Sequence, residues 1–449
     1  YFADSNKGFS ATISNYNAKN DWTRVFLVSD KVIPVLYGNL NSVKIVSNNT
    51  GNPVPYAIAQ VIKVAAMSRI TDTYGPIPYS KIGEDGKITI PYDSQEEVYN
   101  KFFEELDNAI QVLSENQNAL LVSTADYVYG GDVKKWMKFA NSLRLRLAIR
   151  IAYANPQKAR TIAEACIDSE AGLITSNDDN ASWKYFGTIT NPLFEAVRYN
   201  IETSGGDTHA AADIICYMNG YKDNRRASYF EKASNGNYVG LRRGIDITQS
   251  SIADNFIDYS TVKISASDPI MWMNAAEVMF LRAEAALRGW DTEKTPKAYY
   301  EAGIRLSFEQ LGAKNVEDYL VSTNTPESYK DPLGTYSFSG TPSTISVQWK
   351  DGNFEESLGR IITHKWIANF PLGLEAWAEF RRTGYPKLMG TASNKSGGDI
   401  EEGKFPRRLT YPQDEYKTNS ENIRKAVTSL GGDYMHSRIW WDCNPRIEQ

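Results

Sequence analysis

Apolar positions along this chain recur mainly at helical spacing. From Asn52-Pro53 onward, Val54 to Ser68 is apolar on nearly every side, which predicts a buried helix. Ser94 precedes an amphipathic run of Val98, Phe102, Leu106, Ala109, Ile110 and Leu113, with Glu97 placed to complete a capping box. Asp132 caps a third helix, Val133 to Ala154, whose stripe is Trp136, Phe139, Ala140, Leu143, Leu147 and Ile151. Asn155-Pro156 breaks it, and Gln157 to Ile167 makes a shorter partner; helices joined this closely form an antiparallel hairpin. The pattern recurs. Asp268-Pro269 opens a helix through Ala286, Gly289 to Pro296 turns into Lys297 to Leu311, and a last pair covers about Glu355 to Asn369 and Leu374 to Arg382.

Hairpins of related size argue for tetratricopeptide-like stacking, although no strict repeat of about 34 residues is present. Mostly irregular text separates the helix ending at Ala154 from the one opening at Asp268, which excludes a regular solenoid. The expected fold is mainly α: tetratricopeptide-like helical hairpins form a scaffold, and long irregular loops carry the ligand face. A single domain over residues 1–449 is expected, with scaffold at about 54–169 and 268–383 and insertions at about 170–267 and 312–354. A further loop, Tyr74 to Asp93, holds a short extended piece at Lys87–Ile90. Structureless loops longer than about 15 residues in compact domains are usually functional or mobile.

Composition narrows the function classes. Hydrophobic residues make up 42% of 449, and 49 basic against 54 acidic residues give a net charge of −5 with no basic block. That argues against nucleic acid as a partner. Cys166, Cys216 and Cys443 are too far apart for a disulfide framework or a CxxC site, and all three are expected buried and reduced. No run of about 18 apolar residues occurs, so no helix is expected to span a membrane. The chain opens with Tyr1-Phe-Ala-Asp, which suggests a processed or trimmed N-terminus.

Catalytic signatures are missing from the sequence. His209, His364 and His436 are its only histidines, and they form no HExxH or Cys/His pattern. No GxSxG, GxGxxG or GxxxxGK[ST] stretch appears. No catalytic residue, metal ligand or cofactor site is therefore assigned. His364, on a helix, is expected in a structural or surface role. Asp72 could meet a sugar hydroxyl but more simply bonds local backbone at a helix end. Asn177-Asp178-Asp179-Asn180 is oxygen-rich, yet it lacks EF-hand spacing and is read as a turn.

Aromatics in polar text are the positive signal, among 27 Tyr, 17 Phe and 10 Trp. A sugar presents a C–H face and a hydroxyl equator, so its site needs a flat ring against the face and polar groups at the rim. Asn180-Ala-Ser-Trp-Lys-Tyr-Phe186, Tyr79 with Ser80 and Lys81, and Asn235-Gly-Asn-Tyr238 supply that mixture. Trp183 and Tyr185 are the first stacking candidates, followed by Tyr79 and Tyr238. Trp136, Trp272 and Trp377 are read as helical core. In Gly373 to Pro386, Trp377 and Phe380 share a helix face and are expected to pack that helix down. Its arginines should tie it to acidic or carbonyl groups, and Gly384 should end it in a left-handed conformation.

Several stretches, in order over nearly the whole chain, resemble the SusD/RagB-like surface lipoproteins of Bacteroidetes. They are Asp72-Thr-Tyr-Gly-Pro-Ile-Pro-Tyr79, Tyr92-Asp-Ser-Gln-Glu-Glu-Val-Tyr99, Gly131 to Arg146, Asn274 to Ala285, Glu375 to Pro386 and Pro406-Arg-Arg-Leu-Thr-Tyr-Pro412. The family's usual Gln-Lys-Trp is here His364-Lys365-Trp366. The resemblance implies an outer-membrane, surface-exposed lipoprotein that delivers oligosaccharides to a SusC-like TonB-dependent transporter, without catalysis. The membrane would be reached only through a lipid anchor absent from this chain. Its RagB side implies an alternative, peptide or protein-fragment binding; a carboxylate-pair glycoside hydrolase ranks third.

Overall fold

Side-chain caps set most of the helix starts that the sequence announces. The computed structural model describes residues 1–4, 13–17, 23, 32–83, 89–119, 121–184, 189–198, 208–246 and 258–447. They fall into two compact units, residues 1–17 with 175–405 and residues 18–174 with 406–449.

The second of these units is built on five helices in sequence, each packed on the next: α1 (Val32–Thr50), α2 (Val54–Tyr74), α3 (Gln95–Glu115), α4 (Val133–Arg150) and α5 (Pro156–Ile167). The capping box at Ser94 forms: Glu97 N–H donates to Ser94 Oγ at 3.2 Å, and Ser94 N–H donates to Glu97 Oε2 at 2.8 Å. Asp132 accepts from Lys134 and Lys135 N–H, and Asn155 Oδ1 accepts from Lys158 N–H. α2 continues past Ser68 to Tyr74, because its last turn is also enclosed, with Ile70, Thr71 and Thr73 all buried. α1 has no counterpart in the sequence reading: uncharged apart from Lys44 and buried only at Ile33 and Ser47, it shows no amphipathic stripe. Lys87 lies outside the described residues, and the pairing seen in that loop is a bridge between Ile77 and Asp93.

The first unit carries two short antiparallel ribbons, β1 (Phe2–Asp4) with β3 (Thr208–Ala210) and β2 (Ala181–Trp183) with β4 (Ile270–Met273). Its helices are α6 (Pro192–Arg198), α7 (Ala212–Gly220), α8 (Arg226–Tyr229), α9 (Ala275–Leu287), α10 (Pro296–Gln310), α11 (Val316–Leu320), α12 (Phe354–Ala368) and α13 (Gly373–Thr383). α9 packs against α10 and α12, so hairpins form the core here too. Gly303 lets α9 and α10 approach: a Cβ there would lie 2.9 Å from the Phe280 ring. The helix expected from Asp268 begins only at Ala275. Asp268 spends its carboxylate on Ser265 N–H and Oγ, Ile270 to Met273 extend as β4, and Asn274 caps α9 through Glu277 N–H. Beyond these helices the chain returns to the second unit through α14 (Gln413–Thr418) and α15 (Ser420–Ser429).

Two polar clusters are sealed in the first unit. Arg225, fully buried, grips Asp223 through Nε and Nη2 and donates to Ser307 Oγ at 2.8 Å. His364 is fully buried beside this pair, 3.1 Å from Tyr300 Oη, 3.3 Å from Tyr319 Oη and stacked on Tyr221 at 14°. Burial, with the Arg225 guanidinium nearby, pushes His364 down to about 3, so the imidazole is neutral and structural. Cys166 and Cys216 are buried as expected; Cys443 is exposed, because in this irregular stretch its neighbours Trp441, Asp442 and Asn444 take the buried positions and its side chain is left outside.

Candidate functional site

Trp183 ends β2 half-buried, and its indole lies beside that of Trp272 on β4, with centroids 6.0 Å apart and planes inclined by 32°. Ala181 and Met273, fully buried at the other end of the ribbon, anchor it to the core. The structure thus corrects the placement of Trp272, which lies on a strand and not in a helical core. A legible signal was present: Ile270-Met-Trp-Met273 follows Pro269, and its first good cap is Asn274. Lys184, exposed, is the next residue after Trp183.

The remaining candidates have different surroundings. Tyr185 lies outside the described residues, as do Phe186 and Tyr199. Tyr79 is 3% exposed, with its hydroxyl on Glu105 Oε2 at 2.5 Å, its ring edge-to-face with Phe102 and Lys63 Nζ 4.6 Å from its centroid. Such a ring has no open face for a sugar. Burial and the neighbouring Glu105 carboxylate push its phenol well above the ordinary value, so Tyr79 is a neutral core residue. Tyr238 is half-buried with the Arg226 guanidinium 5.2 Å and Lys232 Nζ 5.8 Å from its ring centroid. Asn219 joins the group, donating to Tyr238 O and Glu327 Oε1 and accepting from Arg226 Nη1. This cluster combines an aromatic face with amide, guanidinium and carboxylate groups.

Other polar candidates prove structural. Asp72 is buried and accepts from Tyr99 Oη at 2.6 Å and Trp441 Nε1 at 2.7 Å. Asn177 to Asp179 form a single 3-10 turn, with Asn180 Oδ1 accepting from Ala275 N–H. α13 makes the expected arginine ties to acidic and carbonyl groups, but buries its charges more deeply than its aromatics. Its arginines and Glu379 are buried, whereas Trp377 and Phe380 are only half-buried. Arg381 lies 3.7 Å over the Trp377 ring. Arg382 donates to both oxygens of Glu284 at 2.6 and 2.7 Å, and to Glu379 at 2.7 and 3.0 Å. Lys365 adds contacts to Glu375, Glu379 and Glu277 at 2.9, 3.4 and 3.5 Å. Burial alone would raise the Glu284 carboxyl, but Arg382 and Arg288 outweigh it and hold it below the ordinary carboxylate range. Gly384 closes the helix at φ 75° with its N–H on Phe380 O, as its sequence position predicts.

Helical hairpins in both units, with two short ribbons and no closed sheet among the described residues, define the class: a tetratricopeptide-like helical scaffold. Within that class the chain belongs to the SusD-like family, described as SusD and RagB outer membrane lipoproteins, whose model matches residues 1–442. The family is one of outer-membrane lipoproteins, which places this chain at the outer membrane. A SusD homologue from Bacteroides uniformis ATCC 8492 is 62% identical, with 99% of this chain and 92% of that one covered and a TM-score of 0.96. One from Bacteroides thetaiotaomicron VPI-5482 is 42% identical over 98% of this chain and 92% of its own, with a TM-score of 0.89. A chitin-binding SusD homologue from Flavobacterium johnsoniae is 38% identical over 99% and 92%, also with a TM-score of 0.89. No curated protein matches significantly.

Proposed function

We propose that this protein binds glycans at the cell surface and passes them, chemically unchanged, to a TonB-dependent outer-membrane transporter of the SusC type. The observation that carries the glycan reading is Trp183, held partly exposed at the end of an anchored ribbon. Indole faces in that position suit the C–H face of a pyranose. Family membership and the chitin-binding relative support the same reading and make chito-oligosaccharides the first ligands to try. The carboxylates gathered around α13 are committed to ion pairs, Glu277, Glu375 and Glu379 with Lys365 and Glu284 and Glu379 with Arg382, which fits a binding scaffold.

Isothermal titration against chito-, malto-, xylo- and galacto-oligosaccharides, beside a peptide panel, tests the binding reading. Affinity for at least one glycan, with intact oligosaccharide recovered after prolonged incubation, is the expected result. Binding of peptides alone would replace it with the peptide reading, and released sugar would replace it with hydrolysis. Co-purification with a transporter expressed alongside tests the delivery step.

A further inference from the structure

Tyr434 is the one tyrosine, tryptophan or phenylalanine among the described residues that is left exposed, at 49%. Its ring stacks on the exposed imidazole of His436, with centroids 5.0 Å apart and planes inclined by 9°. Of the chain's three histidines this is the only one outside the core, since His209 and His364 are fully buried. A turn produces the pair: Ser437 N–H donates to Tyr434 O at 3.2 Å, Met435 and Ser437 go inward, and the two rings go outward. The turn is held from below. Met435 O accepts from the N–H groups of Arg407 and Arg408 at 2.7 and 3.2 Å. Arg408, fully buried, donates to Asp433 Oδ1 at 2.6 Å and to Tyr434 O at 3.4 Å. Gly432 lies against one edge of the phenol ring, where a Cβ would collide with Tyr434 Cε2 and push the ring off its seat. The Tyr434 hydroxyl makes no hydrogen bond among the described residues.

We infer that Tyr434 and His436 form a surface contact site for one uncharged pyranose ring. This rests on the glycan-binding reading and adds to it a contact carried by the unit of residues 18–174 and 406–449, whereas Trp183 belongs to the other unit. A ring backed by a parallel imidazole and seated on fixed backbone keeps its orientation before any ligand arrives, so stacking a sugar on it costs little ordering. The exposed part of the pair offers an aromatic surface to the C–H face of the sugar. The phenol hydroxyl can donate to and accept from hydroxyls at the rim. The adjacent charges, Asp433 and Arg408, are paired with each other, which favours an uncharged sugar over an acidic one.

His436 supplies a local readout, because it is the only exposed histidine. Its carbethoxylation by diethyl pyrocarbonate, mapped by mass spectrometry, is timed against rising concentrations of whichever tetrasaccharide of the panel binds wild type most tightly. The reaction should slow to a plateau, and the half-protecting concentration gives the affinity of this site. Tyr434→Ala should raise that concentration by about 10-fold, as loss of one aromatic stacking partner does. Tyr434→Phe, which keeps the ring, should raise it less. An unchanged His436 rate in wild type that binds the same tetrasaccharide by calorimetry overturns this site and leaves glycan binding standing. So does a half-protecting concentration in folded Tyr434→Ala within about 2-fold of wild type. Absence of calorimetric binding by wild type to every glycan overturns both. Should Tyr434→Ala fail to fold, acetylation of Tyr434 by N-acetylimidazole on the wild type decides the matter. Slowing by the tetrasaccharide supports the site, and an unchanged rate overturns it.

Discussion

Arg382→Met should be among the most damaging single substitutions in this protein. Arg382 is fully buried and makes four charge-assisted hydrogen bonds of 2.6 to 3.0 Å, two to Glu284 and two to Glu379. Methionine fills much of the space but strands two buried carboxylates. Lys365 reaches Glu379 only at 3.4 Å, and Arg288 is left as the main partner of Glu284. Removing one partner of a buried ion pair costs about 3–5 kcal/mol. In chains of about 150–250 residues each kcal/mol lowers Tm by roughly 2–4 °C, so a fall of about 6–20 °C is expected by differential scanning calorimetry. Acid sensitivity should change as well. The folded Glu284 pKa is depressed, so its contribution is present above the unfolded carboxylate range and is lost as pH falls through the folded value. With Arg382 gone that value rises, and the acid-side loss should begin at higher pH than in wild type. Glu284→Gln in the Arg382→Met background should recover part of the deficit, because one stranded charge is removed. A drop in Tm of less than about 2 °C, or no recovery in the double variant, would refute the view that this network is a matched set of buried charges.

Three further outcomes are expected. Trp377→Ala, which removes the ring under Arg381, should cost about 2 kcal/mol in urea unfolding and leave glycan affinity unchanged; lost binding in a stable variant would relocate the ligand site. Gly303→Ala forces a methyl to 2.9 Å from Phe280 and should destabilise by about 1–3 kcal/mol, read as a lower urea midpoint at unchanged slope. Burial lowers His209 to about 4, and burial with Arg225 lowers His364 to about 3, both below the unfolded value of about 6.5. Above that pH the advantage of keeping them neutral is complete. As pH falls the unfolded chain takes up the protons, and stability should drop by up to about 1.4 kcal/mol per pH unit per histidine, down to about pH 4 for His209 and about pH 3 for His364. His364→Gln should flatten that acid limb by one histidine's share in denaturant titrations at stepped pH.

The sequence by itself determined the class of architecture and the caps of several scaffold helices, because these depend on local physics. Ser94 with Glu97, Asp132 and Asn155 cap the helices they announce, and Gly384 ends α13 in the left-handed conformation its position requires. It also carried the family, through motifs whose side chains turn out to knit the scaffold. Only the tertiary structure decided which of those side chains are buried. The Trp-Ala-Glu-Phe-Arg-Arg stretch looks like an aromatic anchor with charged decoration, yet its charges go inside, since Glu284 and Lys365 wait there from other helices to neutralise them. Likewise Tyr79 and Trp183 sit in similar polar-aromatic text. One is sealed by Phe102 and Glu105 and the other stays half-open on a ribbon, because exposure depends on distant packing that no local pattern encodes. Trp272 is the sharpest case. A one-residue slip in strand register turns a residue that local patterning assigns to helix into the neighbour of Trp183, and register exists only once both strands are in place.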